Sequence, residues 1–159
     1  MGLFSNEEMT RRLENARRVM AEKSIDAIVI NSVHNTLYYS GFWMVPWGRY
    51  QGVVIPREGE PAVIAPRIEF DRPHRMSIFD DVRIYWDTQS PVDGIVKIIG
   101  DVLSDRGIGS GVIGFEETFA SFEFHSKLQS GLTEFSLTPV AYDLMYSQKI
   151  KSAEELDLS

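Results

Sequence analysis

Cysteine is absent from the 159-residue chain. Its absence excludes disulfide bridges, thiolate zinc sites and cysteine nucleophiles. Long hydrophobic runs are absent as well, since no stretch stays apolar over the roughly 20 residues that cross a bilayer. The N-terminus turns acidic at once and has neither the basic nor the apolar part of a signal peptide. We therefore expect a cytoplasmic protein that does not associate with membranes.

Basic residues are outnumbered by acidic ones. The chain has 16 lysines and arginines against 23 aspartates and glutamates, which gives a formal net charge of −7. A negatively charged protein repels the phosphate backbone, so nucleic acid is not expected as a partner. The remaining composition, 43% hydrophobic and 25% charged, is that of an ordinary globular protein. The length predicts one domain with a core of its own.

The first part of the chain predicts a helix followed by a strand. Ser5 and Glu8 have capping-box spacing, and apolar residues then recur every three or four positions, which predicts a helix over residues 6–22. The short apolar run at 26–30 predicts a strand that is covered on both faces. We expect the charged outer face of the helix to be solvated: Arg11, Arg12, Glu14, Arg17, Arg18 and Glu22.

Helices and strands alternate through the rest of the sequence. Strands are predicted at 51–55, 62–65, 82–86, 112–115 and 136–140, and helices at 34–41, 91–106 and 122–129. A segment that contains proline and glycine separates the first two of these strands, which are therefore expected to pair antiparallel. Alternating helices and strands with one hairpin predict an α/β protein, a three-layer α/β/α sandwich around a mixed sheet.

A glycine-rich segment at 109–114 matches the dinucleotide-binding pattern letter for letter. In that pattern the glycines follow a strand and open a helix, so that the pyrophosphate meets the helix N-terminus. Here they follow a predicted helix and enter a predicted strand. We therefore interpret the segment as a loop and the start of a strand, and expect no nucleotide cofactor.

The sequence contains no complete active site. It has neither a nucleophile elbow nor a phosphate-binding loop. The three histidines do not stand at metal-ligand spacing: His34, His74 and His125. A run of acidic residues in loop-like sequence is interpreted as solvated surface: Glu69, Asp71, Asp80 and Asp81. We expect no catalytic residue and no metal ligand in this chain.

Residues 41–50 are rich in aromatic side chains. Two tryptophans, a phenylalanine and a tyrosine lie beside a single arginine, Arg49, in a segment with glycine and proline. This mixture is enriched at interaction hot spots, and the same aromatics could instead close one end of the core. Composition leaves both interpretations open.

The last residues begin a helix. Ser152 and Glu155 again have capping-box spacing, only a few residues before the sequence stops. We expect residues 1–147 to form one domain and residues 148–159 to start a connecting helix towards a further, C-terminal domain.

Five segments together resemble the N-terminal domain of the creatinase and Xaa-Pro peptidase family, which includes prolidase and aminopeptidase P. They follow an opening helix in the family's order: Ile25-Asp26-Ala27, His34-Asn35 with Tyr38-Tyr39-Ser40, Gly48-Arg49, Ile113-Gly114-Phe115-Glu116 and Ile150-Lys151-Ser152-Ala153-Glu154-Glu155. Trp47-Gly48-Arg49 is most similar to creatinase. Tyr50 stands where proline is common, and Gln148 where many members have arginine.

The resemblance implies a ribonuclease H-like fold and places catalysis in a C-terminal domain. In the peptidases that domain holds two divalent metal ions (Mn, Co or Zn), and in creatinase a histidine there acts without metal. This chain is then catalytically silent. The resemblance also implies a homodimer in which Trp47 and Arg49 bind the substrate carboxylate in the neighbouring subunit's site. The implied substrates are small zwitterions or Xaa-Pro peptides.

Two other functions stay open at this point. The chain could be an interaction module of a protein without hydrolase activity, or a free-standing small-molecule binder. Residues beyond position 159 would separate the first alternative from the enzyme.

Overall fold

The structure is a computed structural model that describes residues 2–45, 49–69, 71–88 and 90–158. Six strands form one sheet in the order β4-β3-β2-β1-β5-β6. The strands are β1 (Ala27–Ile30), β2 (Gly52–Pro56), β3 (Ala62–Pro66), β4 (Asp81–Tyr85), β5 (Gly111–Phe115) and β6 (Phe135–Pro139). The α-helices are α1 (Asn6–Lys23), α2 (Val33–Ser40), α3 (Arg72–Met76), α4 (Pro91–Asp105), α5 (Phe122–Gly131), α6 (Ala141–Ser147) and α7 (Ala153–Asp157).

One strand runs against the others. β2 pairs antiparallel with both β1 and β3, while β3 with β4, β1 with β5, and β5 with β6 are parallel pairs. Five strands therefore end at the same edge of the sheet, and β2 begins there. We call this the carboxyl edge.

The sheet separates two layers of helices. Along β1, Ile28 and Ile30 pack into the core shared with α1, α2 and α6, whereas Ala27 and Val29 pack into the core shared with α4 and α5. All four side chains are buried, as expected for a strand covered on both faces. The predicted three-layer sandwich around a mixed sheet is confirmed.

Most predicted elements agree with the structure. The hairpin is antiparallel, α2 ends at Gly41 with φ 82°, and the segment at 109–114 is a loop that enters β5 at Gly111. The interpretation of this segment as a loop and the start of a strand is therefore confirmed. Helices α3 and α6 were not predicted, because five and seven residues are too short to show a clear helical period. No described helix has the length and apolarity that crossing a membrane requires.

The expectation that the charged face of α1 is solvated is wrong at Arg12. This side chain is 3% exposed and its guanidinium lies between the rings of Phe4 and Tyr38, at 4.0 and 4.1 Å from their centroids. It also donates to the Glu8 carboxylate at 2.7 Å. Sequence periodicity could not show this, because the covering groups come from outside the helix.

Helix α7 covers the same charged face through polar contacts. Its predicted capping box is present, and the Glu155 carboxylate lies 3.0 Å from Arg12 and 3.4 Å from Arg11. Ser5 donates to the Glu154 carboxylate from both its backbone N–H and its hydroxyl, at 2.6 Å each. The predicted capping box at the start of α1 is therefore only half formed, since Glu8 binds arginines instead of Ser5.

Candidate functional site

The carboxyl edge contains the point where ligands usually bind in open α/β sheets. Such a point arises where two neighbouring parallel strands are followed by helices on opposite faces. Here β1 leads to α2 on one face, and β5 leads to α5 on the other. Whether a ligand can enter this crevice depends on the side chains that follow β1 and β5.

The carboxylate of Glu116 fills this crevice. It follows β5, is 1% exposed, and accepts hydrogen bonds from the backbone N–H groups of Asn31 and Ser32 at 2.7 and 2.8 Å. It also accepts from the Ser32 hydroxyl at 2.7 Å and from the Asn35 amide at 2.8 Å. An internal carboxylate thus takes the place at the α2 N-terminus where an anion would bind.

The Glu116 network continues to the end of α6. Gln148 donates to Asn35 Oδ1 at 2.9 Å and to the Tyr39 hydroxyl at 3.3 Å. Burial raises the pKa of Tyr39, which keeps this hydroxyl neutral. The motif residues Asn35, Tyr39 and Glu116 therefore serve one structural network.

Arg49 lies at the carboxyl edge on the other face of the sheet. Its Nε donates to Asp87 Oδ2 at 2.9 Å, and the two side chains are 38% and 42% exposed. Asp87 lies two residues beyond the end of β4, and Arg49 precedes β2. Trp47, the second predicted substrate-binding residue, lies outside the described residues.

Tyr50 fixes the backbone next to Arg49. Its hydroxyl donates to the Ile30 carbonyl at 3.1 Å, its ring stacks on Phe124 at 5.2 Å, and its own carbonyl accepts from the Tyr85 hydroxyl at 2.8 Å. Burial raises the pKa of both tyrosines, that of Tyr85 to about 12, so each hydroxyl remains a neutral donor. Gly52 makes this possible, because a Cβ there would collide with the Tyr50 hydroxyl and the Ile30 carbonyl.

A pocket of about 340 Å³ opens beside Arg49. Its lining includes four aromatic side chains and charged groups of both signs: Tyr50, Tyr85, Phe119 and Phe124, with Arg49, Asp87 and Glu123. A small molecule with a carboxylate and a cationic group matches this lining chemically. Sequence reasoning missed Asp87, although its position just after a predicted strand of the sheet was an available signal.

The segment before Arg49 is divided between core and surface. Phe42 and Met44 are buried, whereas Trp43 is 39% exposed. The Gln51 side chain accepts from the Met44 N–H at 2.9 Å and donates to the Met44 carbonyl at 2.8 Å, which ties the segment to the start of β2. Part of the aromatic segment thus closes the core, and part stays available for contacts.

A second, larger groove of about 860 Å³ lies where α1, α2 and the Trp43 segment meet. It is lined chiefly by apolar and aromatic side chains: Phe4, Met9, Leu37, Tyr38, Trp43 and Ile78. Its lining also includes Arg12 and Glu155, which bind each other at 3.0 Å. The smaller pocket is the better candidate for ligand recognition because it contains Arg49, the residue predicted to bind substrate.

Two of the histidines and part of the acidic run have local partners. His34 packs against Phe119, and His125 against Phe115. Hydrogen bonds from Arg83, and further ones from Arg106, lower the pKa of Asp81. Across the part of the chain that the structure describes, no three histidine, aspartate or glutamate residues cluster as a metal site would require.

Solved structures with the same fold include N-terminal domains of Xaa-Pro dipeptidases. One is the creatinase/prolidase N-terminal domain of an Xaa-Pro dipeptidase from Streptococcus pyogenes, with a TM-score of 0.71 and 16% identity over 86% of this chain and 98% of that one. Another is a proline dipeptidase from Streptococcus pneumoniae, with a TM-score of 0.74 and 16% identity over 87% and 98%. At this identity the likeness concerns the fold alone.

The family follows from the sequence. The model of the creatinase/prolidase N-terminal domain matches residues 12–145, and the chain belongs to this family. It is 34% identical over 155 residues to creatinase of Bacillus sp. (strain B-0618), which covers 98% of this chain and 37% of that relative. It is 28% identical over 121 residues to ectoine hydrolase of Halomonas elongata, over 71% of this chain and 30% of the relative. The chain thus spans about a third of the length of each of these two curated relatives.

Proposed function

We propose that this chain is the non-catalytic N-terminal domain of a hydrolase similar to creatinase or to an Xaa-Pro dipeptidase. Residues 1–147 form the domain, and 148–159 lead towards a catalytic domain. The main support for this proposal is the alignment with creatinase, which covers 98% of this chain but only 37% of that relative. The reaction is cleavage of a C–N bond in a small amide, guanidino compound or dipeptide.

The domain has two roles in this proposal. It pairs two subunits, and its segment with Trp47 and Arg49 contributes to the substrate site of the neighbouring subunit. Support comes from Arg49, for which Asp87 engages only the Nε among the described residues. No other described residue binds the two terminal nitrogens of the guanidinium, and such a pair of nitrogens can bind a substrate carboxylate in a bidentate way.

The cofactor follows from the subtype of the catalytic domain. A peptidase would hold two divalent metal ions, Mn, Co or Zn, in that domain, whereas a creatinase would need none. The substrate would be a small zwitterion or an Xaa-Pro peptide, and the location cytoplasmic.

The first test assays the longer protein that contains this chain against creatine and a panel of Xaa-Pro dipeptides, with and without Mn²⁺ or Co²⁺. Metal-dependent turnover of Xaa-Pro peptides would assign the peptidase subtype. Metal-independent turnover of creatine would assign the creatinase subtype. Failure to hydrolyse creatine, dipeptides and other small amides would contradict the proposal.

The second test concerns Arg49. Arg49→Ala should raise KM about tenfold or more for a substrate with a carboxylate, because a charge-assisted hydrogen bond to the substrate is lost. Arg75→Ala is the matched control, since Arg75 also binds an aspartate through its Nε, at 2.7 Å, and is well exposed. An unchanged KM for Arg49→Ala would remove Arg49 from the substrate site.

The alternative is an interaction module without hydrolase activity. The observation that favours it is the apolar groove of about 860 Å³, which includes the exposed side chains of Leu37, Trp43 and Ile78. A second copy of the chain would then cover this groove. Trp43→Ser should in that case convert a dimer to a monomer in light scattering, in a protein that hydrolyses none of the substrates above.

A further inference from the structure

Two side chains, one at the end of β4 and one just beyond it, bind residues 49 and 50. The sheet order is β4-β3-β2, so β4 and the residues before β2 are separated by β3. Two bridges nevertheless cross the end of β3. The Tyr85 hydroxyl binds the Tyr50 carbonyl at 2.8 Å, and Asp87 binds the Arg49 guanidinium at 2.9 Å.

The two bridges act on different parts of Arg49. Tyr85 fixes the backbone through Tyr50, which is itself held by Ile30 and Phe124. Asp87 fixes the far end of the side chain at its Nε. A long arginine side chain otherwise loses much rotamer freedom when it binds a ligand, and prior fixation reduces that cost.

Charge at the pocket is not simply positive. Asp87 and Glu123 both line it beside the single cation of Arg49. Glu123 is 61% exposed, and its nearest cation, Lys127 Nζ, is 3.9 Å away. A simple anion that approaches Arg49 is therefore opposed by two carboxylates, whereas a ligand that also carries a cation is attracted by them.

We propose that Asp87 is a positioning and specificity-determining residue: it holds the Arg49 guanidinium for a ligand carboxylate and, with Glu123, favours zwitterionic ligands over simple anions. This inference rests on the proposed role of Arg49. The competing explanation is an ordinary exposed ion pair, which would leave ligand binding unchanged when Asp87 is replaced.

The experiment compares two ligands in the longer protein. We would measure kcat and KM for creatine or L-alanyl-L-proline, whichever is turned over, and the inhibition constant of acetate as a simple carboxylate. Asp87→Asn should raise KM about tenfold with kcat changed less than twofold, because orientation of Arg49 and attraction of the cationic group are both lost. The same variant should lose much less affinity for acetate than for the zwitterion, because removal of a repelling charge offsets the lost orientation of Arg49.

Three further variants separate the explanations. Asp87→Glu should recover part of the KM, and Asp71→Asn, which breaks the matched pair with Arg75, should change neither constant. In the double variant Arg49→Ala/Asp87→Asn, KM should exceed that of Arg49→Ala by less than the tenfold seen for Asp87→Asn alone, because the positioning part of the Asp87 role needs Arg49.

Failure of this inference is distinguishable from failure of the proposed function. If Arg49→Ala raises KM and Asp87→Asn does not, Arg49 still binds substrate and the role of Asp87 is wrong. A parallel loss of affinity for substrate and acetate in Asp87→Asn would overturn the selectivity and point to general damage. If Arg49→Ala itself has no effect on KM, the substrate role of Arg49 and this inference both fall, whereas the assignment to a hydrolase is decided by turnover.

Discussion

Two charged side chains at the carboxyl edge illustrate opposite uses of charge. The Glu116 carboxylate is buried and accepts four hydrogen bonds from the chain that surrounds the start of α2. The Arg49 guanidinium is partly exposed and, among the described residues, has one hydrogen-bond partner, Asp87. The first group has its bonding capacity filled internally, and the second retains capacity for a ligand.

This difference distinguishes a charged group that supports the fold from one that is available to a ligand. The fold alone does not make this distinction, because both groups lie at the carboxyl edge. The crevice between β1 and β5 is where an open α/β sheet usually binds a ligand, and here Glu116 fills it. Recognition in the proposed function therefore lies on the other face of the sheet, in the pocket beside Arg49. Substitutions at Glu116 should chiefly lower stability, and substitutions at Arg49 should chiefly lower activity.

The largest effect on stability is expected at Glu116. Glu116→Gln replaces one acceptor oxygen with a donor that faces other donors, and should lower the free energy of unfolding by about 3 kcal/mol. Urea denaturation of the chain measures it, with Glu134→Gln on the surface as the control. A loss below 1 kcal/mol would mean that the network is not a major support of the fold.

The next effect is expected where Arg49 is anchored. Gly52→Ala should cost about 2 kcal/mol, because the new methyl group displaces the Tyr50 hydroxyl from the Ile30 carbonyl. Gly94→Ala is the control and should change stability in the opposite direction. Nothing lies within 4 Å of a Cβ at this position, and the residue is inside α4. That variant should gain about 0.5–1 kcal/mol through helix propensity. Equal effects for the two glycines would contradict the packing around Tyr50.

A smaller, pH-dependent effect is expected at the cluster between α1 and α7. Hydrogen bonds from Arg11, and then Arg12, lower the pKa of Glu8 from 4.5 to about 2. Because the folded-state pKa is depressed, the contribution is complete above pH 4.5 and is lost as the pH falls towards 2.

Glu8→Gln should therefore cost about 1.5 kcal/mol at neutral pH and flatten the acid limb of the stability curve. Glu14→Gln on the exposed side of α1 serves as the comparison. Thermal melts between pH 2 and 7 would detect the change. If stability fell equally at acid pH in both variants, Glu8 would not be the cause of that fall.

The smallest effect on stability is expected at the candidate site. Arg49→Ala and Asp87→Asn should each change the free energy of unfolding by less than about 0.5 kcal/mol, as is usual for partly exposed ion pairs. The same samples should show the changes in KM described above. A large loss of stability would place this pair with Glu116 as a support of the fold.

The fold could be predicted from sequence because its strands are short apolar runs between periodic helices. Ala27–Ile30 and the hairpin from Gly52 to Pro66 carry that pattern plainly. The fate of charged residues could not be predicted in the same way. Arg12 lies on the polar side of α1 by periodicity, and is buried only because Phe4, Tyr38 and α7 reach it from elsewhere.

The site was predicted in part. Arg49 was identified as a candidate through its family resemblance, and its role stays a prediction. Asp87 is 38 residues further along the chain and becomes its neighbour only through the order of β2, β3 and β4. Glu116 was noted as part of a motif, but its role depends on backbone groups after β1, which no spacing in the sequence reveals.

The strand order also predicts the order in which the strands pair during folding. From β1 to β4 every strand pairs with its predecessor along the chain, and β5 pairs with β6 in the same way. Only the contact between β1 and β5 joins the two sets, and its flanking hydrogen bond from Val112 to Asp26 spans 86 residues. Closing so long a loop costs more entropy than any other pairing in the sheet. We expect the pairing of β1 with β5 to form last, although β1 is buried along its whole length.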